Sequence, residues 1–295
     1  MISSVEEYLK SLKEHLTGSD PALIQDALSD AEEYLRNALS QSPGSESDTL
    51  NSIINKFGSP EEVAAGYLAM GKSPLPAPAV AAAARNRSAL SRFFGVFRDM
   101  KAWGALIYML LAMFTGIVYF TWVVTGVSLS AGLIVLIVGL PILALFLLSV
   151  RLESFLEGRI VETLLGTRMP RRPRFFGQNK GLWQKIKSLF AERTTWTGIV
   201  YGIMQLPLGI TYFTVVVILI ALSLSAILWP FSGLILHTPA YFIVGDTRFQ
   251  AANPVIPFLS IPVGIVLLAL TMHLSKAVGR FHGAWAKVML VSKND

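Results

Sequence analysis

The chain has 295 residues, 53% hydrophobic and only 15% charged, and its mean hydropathy of +0.55 lies outside the soluble norm and points to a polytopic membrane protein. It contains no cysteine, which excludes disulfides, thiol chemistry and cysteine-based metal sites. The net charge of +6 conceals two opposed parts: residues 1–76 carry 12 acidic and 5 basic side chains, a balance of −7, and the remainder carries 7 acidic and 20 basic, a balance of +13. An acidic head tethered to a basic body could be drawn onto it electrostatically, or the two charges could serve only solubility and lipid contact.

The head comes first. Glu6, Glu7, Lys10, Lys13 and Glu14 would not be tolerated in a secretory signal core, so the N-terminus is expected in the cytoplasm. Tyr8, Leu9, Leu12 and Leu16 fall at helical spacing, as do Ile24, Ala27, Ala31, Tyr34 and Leu35. Asp20 before Pro21 reads as a helix cap with proline in the first turn. A third helix is expected over Leu50 to Phe57, stopped by Gly58, and Ser59-Pro60-Glu61-Glu62 opens a fourth with a capping box. Residues 1–72 thus form a small helical domain, and 73–90 a proline- and alanine-rich linker.

The rest, 91–295, reads as a duplicated membrane domain. Trp103, Tyr108, Gly116, Ile117, Tyr119, Phe120 and Thr121 recur 93 positions later as Trp196, Tyr201, Gly209, Ile210, Tyr212, Phe213 and Thr214, so one unit is used twice. Pro141, Gly158 and Arg159 reappear at a spacing of 121 as Pro262, Gly279 and Arg280, which gives the second copy 28 extra residues. The 49 residues between Lys101 and Arg151 carry no Asp, Glu, Lys, Arg or His. Since about 20 residues cross the hydrocarbon, that stretch suits spans near 102–124 and 129–150, with a tight turn at TGVSLS. The repeat places two more spans near 196–219 and 256–275, with an outer insertion over about 220–255.

Basic residues near short loops stay cytoplasmic. Segments 77–101, 151–195 and the tail from 276 hold five, ten and four Lys or Arg, while the proposed outer segments hold only Arg248. The expected fold class is therefore all-α: a small helical bundle, then four spans in two parallel two-helix repeats, with both termini on the cytoplasmic side of a bacterial inner membrane. Trp103, Tyr108, Gly116 and Tyr119, with Trp196, Tyr201, Gly209 and Tyr212, are the candidate packing residues of the repeat. Trp183, Lys185 and Lys187, and Arg280 with Trp285, mark basic amphipathic helices expected at the lipid interface.

The insertion combines Trp229, Tyr241 and Phe242 with His237, Asp246 and Arg248. Aromatics at this depth anchor a protein in the bilayer; the same residues could instead form a partly re-entrant element that receives an envelope signal. Gln205, the conspicuous polar residue of the expected spans, suits a helix-packing hydrogen bond or a substrate contact. The chain carries no HExxH, Walker A or GxSxG motif, no paired carboxylates within the expected spans, and only His15, His237, His273 and His282 as histidines, so no catalytic, cofactor or metal site is expected.

VEEYLKSLKEHL, IQDALSDAEEYL and the Phe57–Tyr67 stretch FGSPEEVAAGY resemble the HAAS signalling domain. The LPLGITYFTVVV run from Leu206, the VGLPIL run from Val138 and the helix ending in LLG at 164–166 resemble a bacterial sensor-type membrane domain. No phosphoacceptor or ATP-binding motif appears before Asp295, so the resemblance implies an interaction protein and not a catalyst. It implies membrane lipids and a cytoplasmic protein, such as a PadR-type regulator, as partners, with a homo-oligomer possible and no direct nucleic-acid binding. The expected role is a non-enzymatic sensor or regulatory adaptor. The alternative is transport or a permease accessory.

Overall fold

The computed structural model describes residues 4–41, 46–71, 89–133, 139–171, 189–236, 241–244, 247–250 and 256–291. The head holds α1 (Val5–His15), α2 (Pro21–Ser40), α3 (Glu46–Phe57) and α4 (Pro60–Gly71). Tyr8, Leu12, Leu16, Ala27, Ala31, Leu35 and Leu50 are fully buried among them, the apolar stripe that the helical spacing requires. Asp20 Oδ1 accepts from Ala22 N at 2.9 Å, which fixes the start of α2. The capping box at α4 is reciprocal: Ser59 N donates to Glu62 Oε2 at 2.9 Å and Glu62 N to Ser59 Oγ at 3.2 Å. Gly58 takes φ +109 between α3 and α4, a conformation that favours glycine, and Tyr8 donates its hydroxyl to the Gly58 carbonyl at 2.8 Å. Burial, together with the Glu62 charge, pushes the Tyr8 phenol up to about 12. Ser59→Ala should cost α4 about 1 kcal/mol, read as faster amide exchange confined to that helix.

Beyond the head, α5 (Ala89–Phe94) and a 3₁₀ turn (Gly95–Arg98) lead into four long helices: α6 (Met100–Leu133), α7 (Gly139–Leu165), α8 (Arg193–Leu236) and α9 (Ser260–Leu290). Each of the four contacts the other three, with α6 and α8 sharing the largest interface. Among the described residues, four helices are long and apolar enough to cross a membrane: Met100–Leu133, Gly139–Leu165, Arg193–Phe231 and Pro257–Leu290. At 1.5 Å per residue α6 is about 51 Å long, well beyond the roughly 30 Å of hydrocarbon. Bands of apolar side chains such as Phe114, Val118, Trp122, Ile210 and Ile218 face outward, where lipid tails would cover them.

The turn expected at TGVSLS does not form. Thr125 to Ser130 continue α6, and the connection falls at 134–138, outside the described residues. Gly126 serves packing and not turning: a Cβ there would stand 2.1 Å from the Phe146 ring of α7. Where no water is available, continuing the helix keeps every backbone group paired.

The second copy uses much of its extra sequence to lengthen a helix. Residues 220–236, expected outside the span, prolong α8 through Pro230. A two-stranded antiparallel hairpin follows, β1 (Tyr241–Val244) with β2 (Thr247–Gln250), Val244 pairing with Thr247 and Tyr241 with Gln250. It is the exception to an otherwise helical fold among the described residues. Two short β-prone runs separated by Gly-Asp were its signal in the sequence.

At the centre of the body, the two copies meet about their shared glycines. A Cβ on Gly116 would lie 2.7 Å from the Gln205 carbonyl, and one on Gly209 would lie 2.2 Å from the Ala112 carbonyl. Ala112 and Gln205 are themselves 93 positions apart, so the crossing of α6 and α8 has the symmetry of the repeat. Trp103 Nε1 donates to Phe97 O and Trp196 Nε1 to Phe190 O, both at 2.9 Å, again an equivalent pair 93 positions apart.

Candidate functional site: a buried polar cluster beside a docked head

Among the described residues, the buried ionisable side chains of the body gather toward the end that faces the head. There Tyr108 and Tyr201, one turn or two into α6 and α8, converge with Glu157 late on α7 and His282 late on α9. All four side chains are buried, Glu157 and His282 to 0% exposure. The tyrosines are repeat equivalents, whereas Glu157 and His282 are not: the position 121 after Glu157 is Val278, and the position 121 before His282 is Val161. The duplication supplied a symmetric frame, and one acid and one imidazole broke the symmetry.

The geometry is tight. Tyr108 donates to Glu157 Oε1 at 2.6 Å and lies 2.5 Å from His282 Nε2. Tyr201 repeats both contacts at 2.9 Å. Gln205 Nε2 adds bonds to the Tyr108 hydroxyl at 3.1 Å and to Glu157 Oε1 at 3.4 Å, so the structure puts Gln205 in helix packing within the cluster. The Tyr212 hydroxyl lies 3.4 Å from His282 Nδ1, and Tyr119 also interacts with the Glu157 carboxyl. Glu153 sits one turn before Glu157 on α7. Both Glu153 oxygens, Glu157 Oε2 and Gln205 Oε1 are buried without a hydrogen-bond partner.

The sequence reading missed this cluster because it ended the second and fourth spans at the first ionisable residues, near 150 and 275. The helices run on, and Glu157 and His282 beyond those points turn inward. The carboxylates at i and i+4, Glu153 and Glu157, were the available signal. Trp285, expected at the lipid interface, instead stacks on Tyr201 with centroids 4.6 Å apart and meets the His282 ring edge-on at 5.3 Å. Arg280 is exposed. Trp183, Lys185, Lys187, His237 and Asp246 lie outside the described residues. Trp229 is half-buried on α8, and Tyr241, Phe242 and Arg248 stand on the hairpin.

A second site joins head to body. Lys287 of α9 pairs with Asp20 at the start of α2. Asp26, buried on α2, accepts at Oδ1 from the Arg171 backbone N–H at 2.8 Å, and its Oδ2 lies 4.0 Å from Arg168 Nη2. Burial raises the Asp26 carboxyl above its usual range, the Arg171 N–H and the Arg168 charge opposing that effect. Of the two outcomes open to an acidic head and a basic body, the structure shows contact. Nearby, Asp99 pairs with Lys276, which holds its carboxyl below the usual range. His273 Nε2 reaches Phe93 O at 3.0 Å while its ring stacks on Phe93, pinning α5 against α9.

The membrane body matches the model of a family described as Putative sensor over residues 108–290. The chain belongs to that family. Its head matches the HAAS model over residues 7–66, and the two together give this membrane protein a sensor or signalling role. No curated protein and no solved structure matches the chain.

Proposed function

We propose that the protein is a non-enzymatic sensor and regulatory adaptor of the bacterial inner membrane, with both termini cytoplasmic. The observation that carries this reading is the seam: a family-typical signalling head held by Asp20 and Asp26 against Lys287, Arg168 and Arg171 of the membrane body. In this reading the four-helix body has two packings that hold the seam unequally, and a stimulus favouring one of them releases the head. A PadR-type regulator would then gain access to α2. Transport finds less support, because the amide nitrogen of Gln205, its candidate substrate contact, is held by Tyr108 and Glu157.

Lys287→Glu tests the seam without touching the Asp20 cap of α2. Placing like charges together there should open the head, giving a greater yield of captured PadR-type regulator from detergent extracts than the full chain gives, while deletion of 1–72 abolishes capture. Equal capture by all three forms would remove the adaptor role.

Asp26 makes a separate prediction. Because its carboxyl is raised in the folded state, the stability it contributes is fully present below the unfolded value and is lost as pH rises through the folded one. Asp26→Asn can still accept the Arg171 N–H. The substitution should therefore flatten the acid side of the head's stability profile and leave its neutral-pH Tm unchanged or higher; a steeper profile would refute the burial argument.

A further inference from the structure

The bonding pattern around Glu157 does not fix where its protons lie. Tyr108 and Tyr201 each own one hydroxyl proton, and each hydroxyl stands between the same two atoms, Glu157 Oε1 and His282 Nε2. If both phenols donate to the carboxylate, Nε2 must carry a proton and donate to a phenol oxygen. If Tyr108 donates to Nε2, the carboxyl must carry a proton and donate to the Tyr108 oxygen. The two arrangements differ by concerted transfers along one bridge: the acid proton passes from Oε1 to the phenol oxygen while the phenol proton passes to Nε2. No electron moves and no other reactant is needed.

Charge decides how many protons the site wants. With Glu157 ionised and His282 neutral, a fully buried negative charge has no lysine or arginine partner among the described residues, a costly state in an apolar bundle. Glu153 adds a second carboxyl whose oxygens have no partner. One added proton neutralises the Glu157–His282 pair, whichever residue holds it. The groups that face the pair are Tyr108 and Tyr119 from α6, Glu153 from α7, Tyr201, Gln205 and Tyr212 from α8, and Trp285 from α9. Oε1 is already enclosed by phenols at 2.6 and 2.9 Å. No three His, Asp or Glu side chains among the described residues converge as a metal-binding group. A proton is the cation that such a packed site accommodates.

We propose that the Glu157–His282 cluster is a proton-binding site, with the hydroxyls of Tyr108 and Tyr201 passing the proton between acid and imidazole. This rests on the sensor reading above and names its stimulus: proton uptake changes the charge at the place where all four helices meet, and that change is what favours one packing of the body over the other.

The test uses the full chain in lipid nanodiscs, with the proton itself as probe. Infrared difference spectra across a pH titration should show a carboxylic C=O band that disappears in Glu157→Gln and persists in Glu153→Gln. His282→Asn should move its midpoint by about tenfold or more in proton concentration, roughly one pKa unit. Tyr108→Phe, which keeps both titrating groups, should shift the band's frequency without abolishing it, so the site can be followed even where Glu157→Gln folds poorly. The same curve in sodium, potassium and choline chloride supports a proton; displacement by a metal cation overturns it. A band that never titrates, or one that ignores both Glu157→Gln and His282→Asn, also overturns it. Seam opening is read separately by a cross-link between positions 20 and 287. Titration without any change in that cross-link leaves the proton site standing and defeats the coupling.

Discussion

Gly209→Leu should destabilise the membrane body by about 3 kcal/mol or more, at or past the upper end for overpacking a tight core. A Cβ on Gly209 would fall 2.2 Å from the Ala112 carbonyl and 2.6 Å from its carbon. The obstacle is backbone on the facing helix, so no side-chain rotation relieves it. α6 and α8 must separate, and since their crossing lies at the heart of the bundle, the loss spreads to every interface it organises. Gly116→Leu meets the Gln205 carbonyl at 2.7 Å and should cost somewhat less. Gly132→Ala, where nothing lies within 4 Å, is the control and should be neutral or slightly stabilising, since alanine is the better helix former. Unfolding by steric trapping in bicelles would rank the three. Equal stability of Gly209→Leu and the native chain would show that the central crossing is not where the repeat holds together.

The same glycines show how far the sequence could be read. Their recurrence at 93 residues, inside a run with two matched tyrosines and a matched tryptophan, was enough to identify two copies of one helical unit; the tyrosines are buried, but Trp103 and Trp196, expected to pack, stand 43% and 53% exposed. Caps were equally legible, because Asp20-Pro21 and Ser59 with Glu62 act through neighbouring backbone groups and need no tertiary information. What could not be read was where the spans stop. Arg151, Glu153 and Lys276 look like the end of a hydrophobic segment, but helices longer than the hydrocarbon carry such residues past the apolar core. Their side chains can then turn inward to partners far away in the chain: His282 meets Tyr108 across 174 positions. Nothing local to Glu157 announces Tyr201. The head's docking was legible only as a charge imbalance, since the pairing of Asp20 with Lys287 depends on how two separate domains present their surfaces.

Removing both central hydroxyls should reveal the cluster's cooperativity. Tyr108→Phe alone withdraws the shorter bond to Glu157 Oε1, but Tyr201 and Gln205 remain to donate, so the expected cost is about 1–3 kcal/mol, the range for losing a hydrogen bond to a charged or buried group. Tyr201→Phe should cost a similar amount, since it loses the 2.9 Å bonds while its ring keeps stacking on Trp285. In the double variant the Glu157 carboxyl loses both short phenol bonds and keeps the 3.4 Å contact with Gln205 and the interaction with Tyr119, while the imidazole keeps Tyr212 but loses both phenols at Nε2. A fully buried acid is then left short of partners, a situation whose upper bound is the loss of about 3–5 kcal/mol where one partner of a buried pair is removed. The double variant should therefore lose more than the two single variants together, with a coupling energy within the 0.5–3 kcal/mol typical of shared networks. Adding Glu157→Leu to the double variant supplies the decisive comparison. If the penalty comes from stranding a carboxyl, and not from the missing hydroxyls, the triple variant should recover much of the lost stability, because an apolar side chain at that site asks nothing of its neighbours. Additive single effects, or a triple variant no more stable than the double, would mean that the tyrosines act only as packing and that the acid is satisfied elsewhere.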